Sequence, residues 1–160
     1  MYRTRGFFAV ALITVALFAG CTKSDENKAV APDPHDAMMS QPVIVVPDTV
    51  KGKWKSVKIA VLDKSSGKST DYDIAIGSKV AVPDSDLVIA VDTFFPDFVM
   101  DGATRTSRSN EPKNPAAQIR VEEKGTEIYK NWLFALLKTP HAFQHPKYEL
   151  SLTGYSPSAK

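Results

Sequence analysis

His141 and His145 stand four residues apart, a spacing that could put two imidazoles on one face of a helical turn to hold a metal. Pro140 and Pro146 clamp that segment to about one turn. Helical zinc motifs of this spacing carry Glu after the first His, and here Ala142 stands there. The sequence names no third ligand, so local bonding of two turn histidines is the simpler account. Asp92, Asp97 and Asp101 flank one apolar strand end and would need to converge to do acid–base work, which requires paired groups with separated pKa values. Solvated charges at a strand end are the commoner outcome. No Gly-x-Ser-x-Gly elbow, phosphate-cradling glycine loop or Cys–His pair is present. Cys21 is the only cysteine, so neither an internal disulfide nor an intramolecular dithiol cycle is available. We therefore expect no cofactor, no metal and no enzyme; a metal-binding or hydrolytic domain using His141, His145 and the nearby Asp residues is the alternative.

The most suggestive stretch is Asp92-Thr93-Phe94-Phe95-Pro96-Asp97-Phe98-Val99-Met100. Adjacent Phe94 and Phe95 cannot both point inward on one regular strand. Burial against the fold on both faces is one account. The other is an exposed apolar patch beside the polar loop from Asp101 to Pro115, in which Arg105, Arg108 and Lys113 can pair with phosphate or carboxylate. On that account Phe94, Phe98, Met100, Arg105 and Arg108 form a partner surface, since apolar anchors beside guanidinium groups are what interface hot spots favour.

The segments around these residues predict an all-β domain. Val57, Ile59 and Val61 alternate with Lys58 and Ala60, Asp63 to Gly67 supply a turn, and Tyr72, Ile74 and Ile76 alternate in return, which reads as a hairpin. Lys79 to Val82 is a short strand. Leu87 to Thr93 is apolar on both parities, as a strand covered on both faces should be. Ile119 with Val121, and Tyr148 with Leu150 and Leu152, alternate cleanly. Glu127 to Lys138 has helical spacing (Ile128, Trp132, Leu136) but lacks a convincing N-cap beyond Thr126, and is read as strand to about Ala135. About seven short strands separated by turns predict a small β-sandwich or barrel, whose core takes in Trp132, Phe134, Leu150 and Leu152.

Before this domain the composition changes twice. Arg3 and Arg5 precede an apolar run from Phe7 to Phe18 and the small pair Ala19-Gly20, the layout of a secretory signal peptide. The run falls short of the roughly 20 apolar residues of a transmembrane helix. Leu17-Phe18-Ala19-Gly20-Cys21 resembles the lipobox of bacterial lipoproteins, with Phe18 where an aliphatic residue is usual. That resemblance implies cleavage before Cys21, acylation of its thiol and durable attachment to a membrane, since several acyl chains exceed the marginal hold of one. Thr22, in place of Asp, implies an outer-membrane address facing the periplasm. We expect residues 1–20 to be the signal peptide, 21–47 a disordered tether rich in charge and Pro, within which Val43-Ile44-Val45-Val46 could pair as an edge strand between Pro42 and Pro47, 48–156 the β domain and 157–160 a disordered tail.

Of the 20 Lys and Arg, the leader holds Arg3 and Arg5, which leaves 18 against 18 Asp and Glu in the mature chain. This neutral balance lacks the clustered positive charge of a nucleic-acid binder. Expected partners are the membrane, through lipid on Cys21, and an envelope protein or cell-wall polymer. The stretches Val57-Lys58-Ile59-Ala60-Val61-Leu62-Asp63-Lys64, Asn114-Pro115-Ala116-Ala117, Trp132-Leu133-Phe134-Ala135 and His145-Pro146-Lys147-Tyr148 together resemble the bacterial envelope family known as domain of unknown function 2155. Asn131 and the lack of domain cysteines depart from that family's pattern. The resemblance implies strand around Trp132 and brings no catalytic residue.

Overall fold

The computed structural model describes residues 42–137 and 142–159. Every regular element among them is a strand: β1 (Val43–Ile44), β2 (Trp54–Asp63), β3 (Lys68–Ala75), β4 (Lys79–Ala81), β5 (Leu87–Phe95), β6 (Phe98–Asp101), β7 (Thr104–Ser107), β8 (Ala116–Glu123), β9 (Thr126–Phe134) and β10 (Tyr148–Pro157). They form three open sheets, ordered β10-β2-β3, β4-β5-β8-β9 and β1-β7-β6. The first two pack as a small β-sandwich, and the alternative of a closed barrel does not hold. Three strands more than the expected seven are present among the described residues.

The sandwich follows from the alternation. Val57 lies opposite Ile74 and Ile59 opposite Tyr72 on β2 and β3, while Leu150 and Leu152 of β10 lie opposite Val61 and Ile59. These residues face Leu87, Ile89, Val91, Ile119 and Val121 of the second sheet across one apolar core. Between Val91 and Thr93 the β5–β8 register shifts by a bulge at Asp92. A bulge inserts one residue and reverses the parity beyond it. Phe94 therefore joins the inter-sheet core, and Phe95 turns to the other face of the sheet.

Glu127 to Lys138 is strand as far as Phe134, in line with the expectation. Lys124 and Gly125 both have positive φ (52° and 80°), which makes a two-residue turn whose twist suits the β8–β9 hairpin. Strand geometry splits the helical set: Trp132 is buried, while Ile128 and Leu136 are 42% and 66% exposed. Trp132 and Leu133 point to opposite faces, into the second cluster and the main core respectively.

Several expected boundaries move. The stretch from Asp101 to Pro115, expected to be irregular, contains β7 and the β6–β7 turn. The last residues of the expected tether belong to the sheet: the Val43 and Val45 amides donate to the Ala103 and Arg105 carbonyls, each at 3.0 Å. At the other end β10 runs to Pro157, and the Ser158 amide donates to the Lys53 carbonyl at 2.8 Å, so those two residues of the expected tail are tied in. The expected signal peptide, Cys21 and the expected tether before residue 42 lie outside the described residues.

Candidate binding surface

Pro96 and Asp97 turn the chain from β5 into β6, and a hydrogen-bonded corner holds that turn. Asp97 is 3% exposed; its amide donates to Ser107 Oγ at 3.0 Å and its Oδ2 accepts the Ser109 hydroxyl at 3.1 Å. The Asn114 side-chain amide donates to the Phe98 carbonyl at 2.9 Å, and the Phe98 amide donates to the Asn114 carbonyl at 3.0 Å. The corner folds β6 and β7 back over the outer face of the β5–β8–β9 layer. There Phe98 meets Phe95, Trp132 and Phe134, with ring centroids 6.4, 4.7 and 5.0 Å from its own.

This arrangement corrects two members of the expected partner surface. Phe94 is 3% exposed and packs on Trp54 and Tyr155, with centroids at 5.2 and 5.3 Å. Phe98 is 6% exposed. Neither can serve as an exposed anchor, because the bulge and the corner give each a core to fill. Met100, with 65% of its surface exposed, does stand out. It lies opposite Arg105 across the β6–β7 ladder, and Arg105 lies opposite Ile44 across the β7–β1 ladder. Met100, Arg105 and Ile44 therefore form one cross-strand row. Arg105 Nη1 donates to the Gly102 carbonyl at 3.0 Å, which ties the guanidinium to the hairpin turn. Arg108 is exposed beyond the hairpin, with its amide on the Asp97 carbonyl at 2.9 Å.

The other half of this surface is the possible edge strand Val43 to Val46, whose partner and place in the surface the sequence did not give. Val43, Ile44, Val45 and Val46 are 55%, 36%, 47% and 42% exposed, an apolar edge added to the β6–β7 hairpin. Asp101-Gly102 was the available signal: that dipeptide marks a tight hairpin, and Gly102 has φ +53° at the first turn position. Recognising the hairpin would have given Val43 to Val46 a strand to pair with.

Among the described residues the candidate chemistry does not assemble. Asp92 is engaged with Arg120, whose Nε and Nη2 donate to its carboxylate at 2.8 and 2.9 Å. That bidentate bond, and then the charge of Asp92, hold the guanidinium even more firmly protonated than usual. Asp97 sits in the corner and Asp101 at the hairpin end, so the three aspartates serve three separate places. His145 is stacked between Phe143 and Tyr148, at centroid distances of 5.6 and 5.3 Å. Its Nδ1 accepts the amides of Lys147 and Tyr148 at 3.2 and 3.1 Å, and its Nε2 is 3.4 Å from Glu123 Oε1. His145 thus organises the turn into β10. His141 lies outside the described residues. Among the described residues no three His, Cys, Asp or Glu side chains gather as a metal site.

No family model matches this chain, and neither a curated protein nor a solved structure matches it.

Proposed function

We propose that this protein is a bacterial envelope lipoprotein, held on a membrane by acyl groups at Cys21, whose β domain binds or scaffolds a partner and performs no catalysis. The address comes from Arg3 to Cys21, and the outer membrane, facing the periplasm, is the destination that Thr22 favours. The observation that carries the binding role is the row of Met100, Arg105 and Ile44 with its exposed neighbours Val43, Val45 and Val46. Monomer surfaces ordinarily scatter their apolar residues singly, and a contiguous set beside a guanidinium group suits protein contact. The site proposed from sequence is thereby moved along the chain, with Met100 and Arg105 kept and both phenylalanines released to the core.

Two measurements on the full chain test this. In the native host, the wild-type protein should partition into detergent, and Cys21→Ser should leave an uncleaved or soluble form. Processing at the same bond with unchanged membrane retention would defeat the anchor. Replacing Met100 and Arg105 together by Ser and Ala should then remove crosslinked species from the membrane-bound protein while its melting temperature stays near the parent's. An unaltered crosslinking pattern would defeat the surface.

A further inference from the structure

Sheets end in edges, and among the described residues six strands are edge strands: β1 and β6, β10 and β3, β4 and β9. Proteins commonly guard such edges with charge, because unpaired amides and carbonyls invite another strand. Five of the six follow the rule. Asp101 lies on β6, Glu149 on β10, Lys68, Asp71 and Asp73 on β3, Lys79 on β4, and Glu127 with Lys130 on β9. β1 and its continuation, Val43-Ile44-Val45-Val46, carry no charge and are exposed throughout.

The backbone of β1 sets what can pair with it. The amides of Val43 and Val45 point to β7, so those of Ile44 and Val46 point outward by the alternation of a strand. Pro42 has no amide to offer, and beyond Val46 the chain enters the turn at Pro47. The free edge therefore presents two outward donors, centred on Val45. An antiparallel strand of the same sequence, with Val45 opposite Val45, places Ile44 opposite Val46 on both sides and satisfies both donors of each copy. Four residues a side fall far short of the roughly 20–30 of a standard interface. Only a partner already held nearby can use so small an edge. Residues 22–42 reach at most about 70 Å when extended, so copies anchored at Cys21 in one membrane have that proximity.

We infer that β1 pairs antiparallel with β1 of a second copy of this chain, joining two β1-β7-β6 sheets into one of six strands. The inference rests on the lipid-anchored reading for its effective concentration. Val45 would face its own copy in a non-hydrogen-bonded pair, where Cα atoms lie about 4.5 Å apart, within disulfide range.

The test oxidises membranes carrying the full chain with Val45→Cys, beside the parent chain and the single variants Ile44→Cys and Val46→Cys. Val45→Cys should give a disulfide-linked homodimer, and the flanking variants little. Adding Ile44→Pro to Val45→Cys should abolish the dimer without changing the melting temperature, since an edge strand tolerates proline where its amide faces solvent. No dimer, equal crosslinking at all three positions, a dimer that survives Ile44→Pro, or a crosslink to a different protein would each overturn the pairing. A dimer formed by the parent chain would instead reveal a free Cys21 thiol, which is a failure of the anchor and separable from the other outcomes.

Discussion

The two ends of β6 meet different surroundings. Phe98, at its start, is wedged among Phe95, Trp132 and Phe134 and is 6% exposed. Met100 lies two residues further, on the same face of the strand, and is 65% exposed. One face of one strand thus runs from core to surface within two residues. Phe98 and its partner Ser107 are buried, whereas Met100, Arg105 and Ile44 extend past the aromatic cluster. An apolar pattern names the face of a strand that seeks cover, and the layer beneath decides how far along the strand cover is supplied.

Substitution should separate these ends sharply. Truncating a buried Trp or Phe to Ala typically costs about 3–5 kcal/mol, a large part of a small domain's stability. Trp132→Ala, which empties the cluster on which Phe98 rests, should produce the largest loss, read by denaturant or thermal unfolding. Phe98→Ser should fall in the same class, because it adds an unpartnered hydroxyl to a cavity. Met100→Ser should stay within about 0.5 kcal/mol of the parent, as surface substitutions do. A Trp132→Ala melt close to the parent's, or a marked loss with Met100→Ser, would break the contrast between the two ends.

A smaller effect belongs to the corner that folds one region onto the other. Asn114→Ala removes the donor to the partly buried Phe98 carbonyl. Leaving such a group unpaired costs about 1–3 kcal/mol. The loss should appear with the wild-type slope against denaturant, since the exposed surface on unfolding is unchanged. A loss as large as that of Trp132→Ala would mean that the corner, rather than the aromatic cluster, holds β6 in place.

The same division explains what the sequence made legible. Where two sheets cover a strand from both sides or one, alternation stated the answer: Val57 to Val61, Tyr72 to Ile76, Leu87 to Val91 and Tyr148 to Leu152 all read directly. The bulge at Asp92 was not visible, although it decides which phenylalanine faces which core. β7 was missed because Thr104-Arg105-Thr106-Ser107 has no apolar period; its register comes from the Asp101-Gly102 turn and not from a hydrophobic face. For the candidate surface, Met100 and Arg105 were legible as residue types, while Val43 to Val46 were legible as a possible edge strand at the end of the tether but not as a neighbour of Met100 and Arg105. Pairing of β1 with β7 spans about 60 residues of sequence, and nothing local to either strand announces it.

The smallest expected effect concerns how the turns of the two regions are closed, and it is read through pH. In the β6–β7 turn the closing side-chain bond comes from Arg105. In the β2–β3 turn it comes from Asp63, whose Oδ1 accepts the Ser65 amide at 2.8 Å and the Ser66 amide at 3.3 Å. The Ser65 side chain is the largest influence holding the Asp63 carboxyl below the ordinary 3.8, followed by the Ser65 amide; the Ser66 amide and the charge of Lys147 act the same way. A carboxyl whose pKa is depressed on folding stabilises the folded state above its unfolded pKa, and that contribution is lost as pH falls through the folded value. The wild-type melting temperature should therefore exceed that of Asp63→Asn by a small, constant amount at neutral pH, and the gap should narrow only below about pH 4. A gap for Asp63→Asn that persists undiminished to pH 2 would mean that ionisation of Asp63 plays no part in the turn, and no gap even at neutral pH would mean that the backbone alone holds it, chiefly through the Gly67 amide on the Asp63 carbonyl at 2.8 Å.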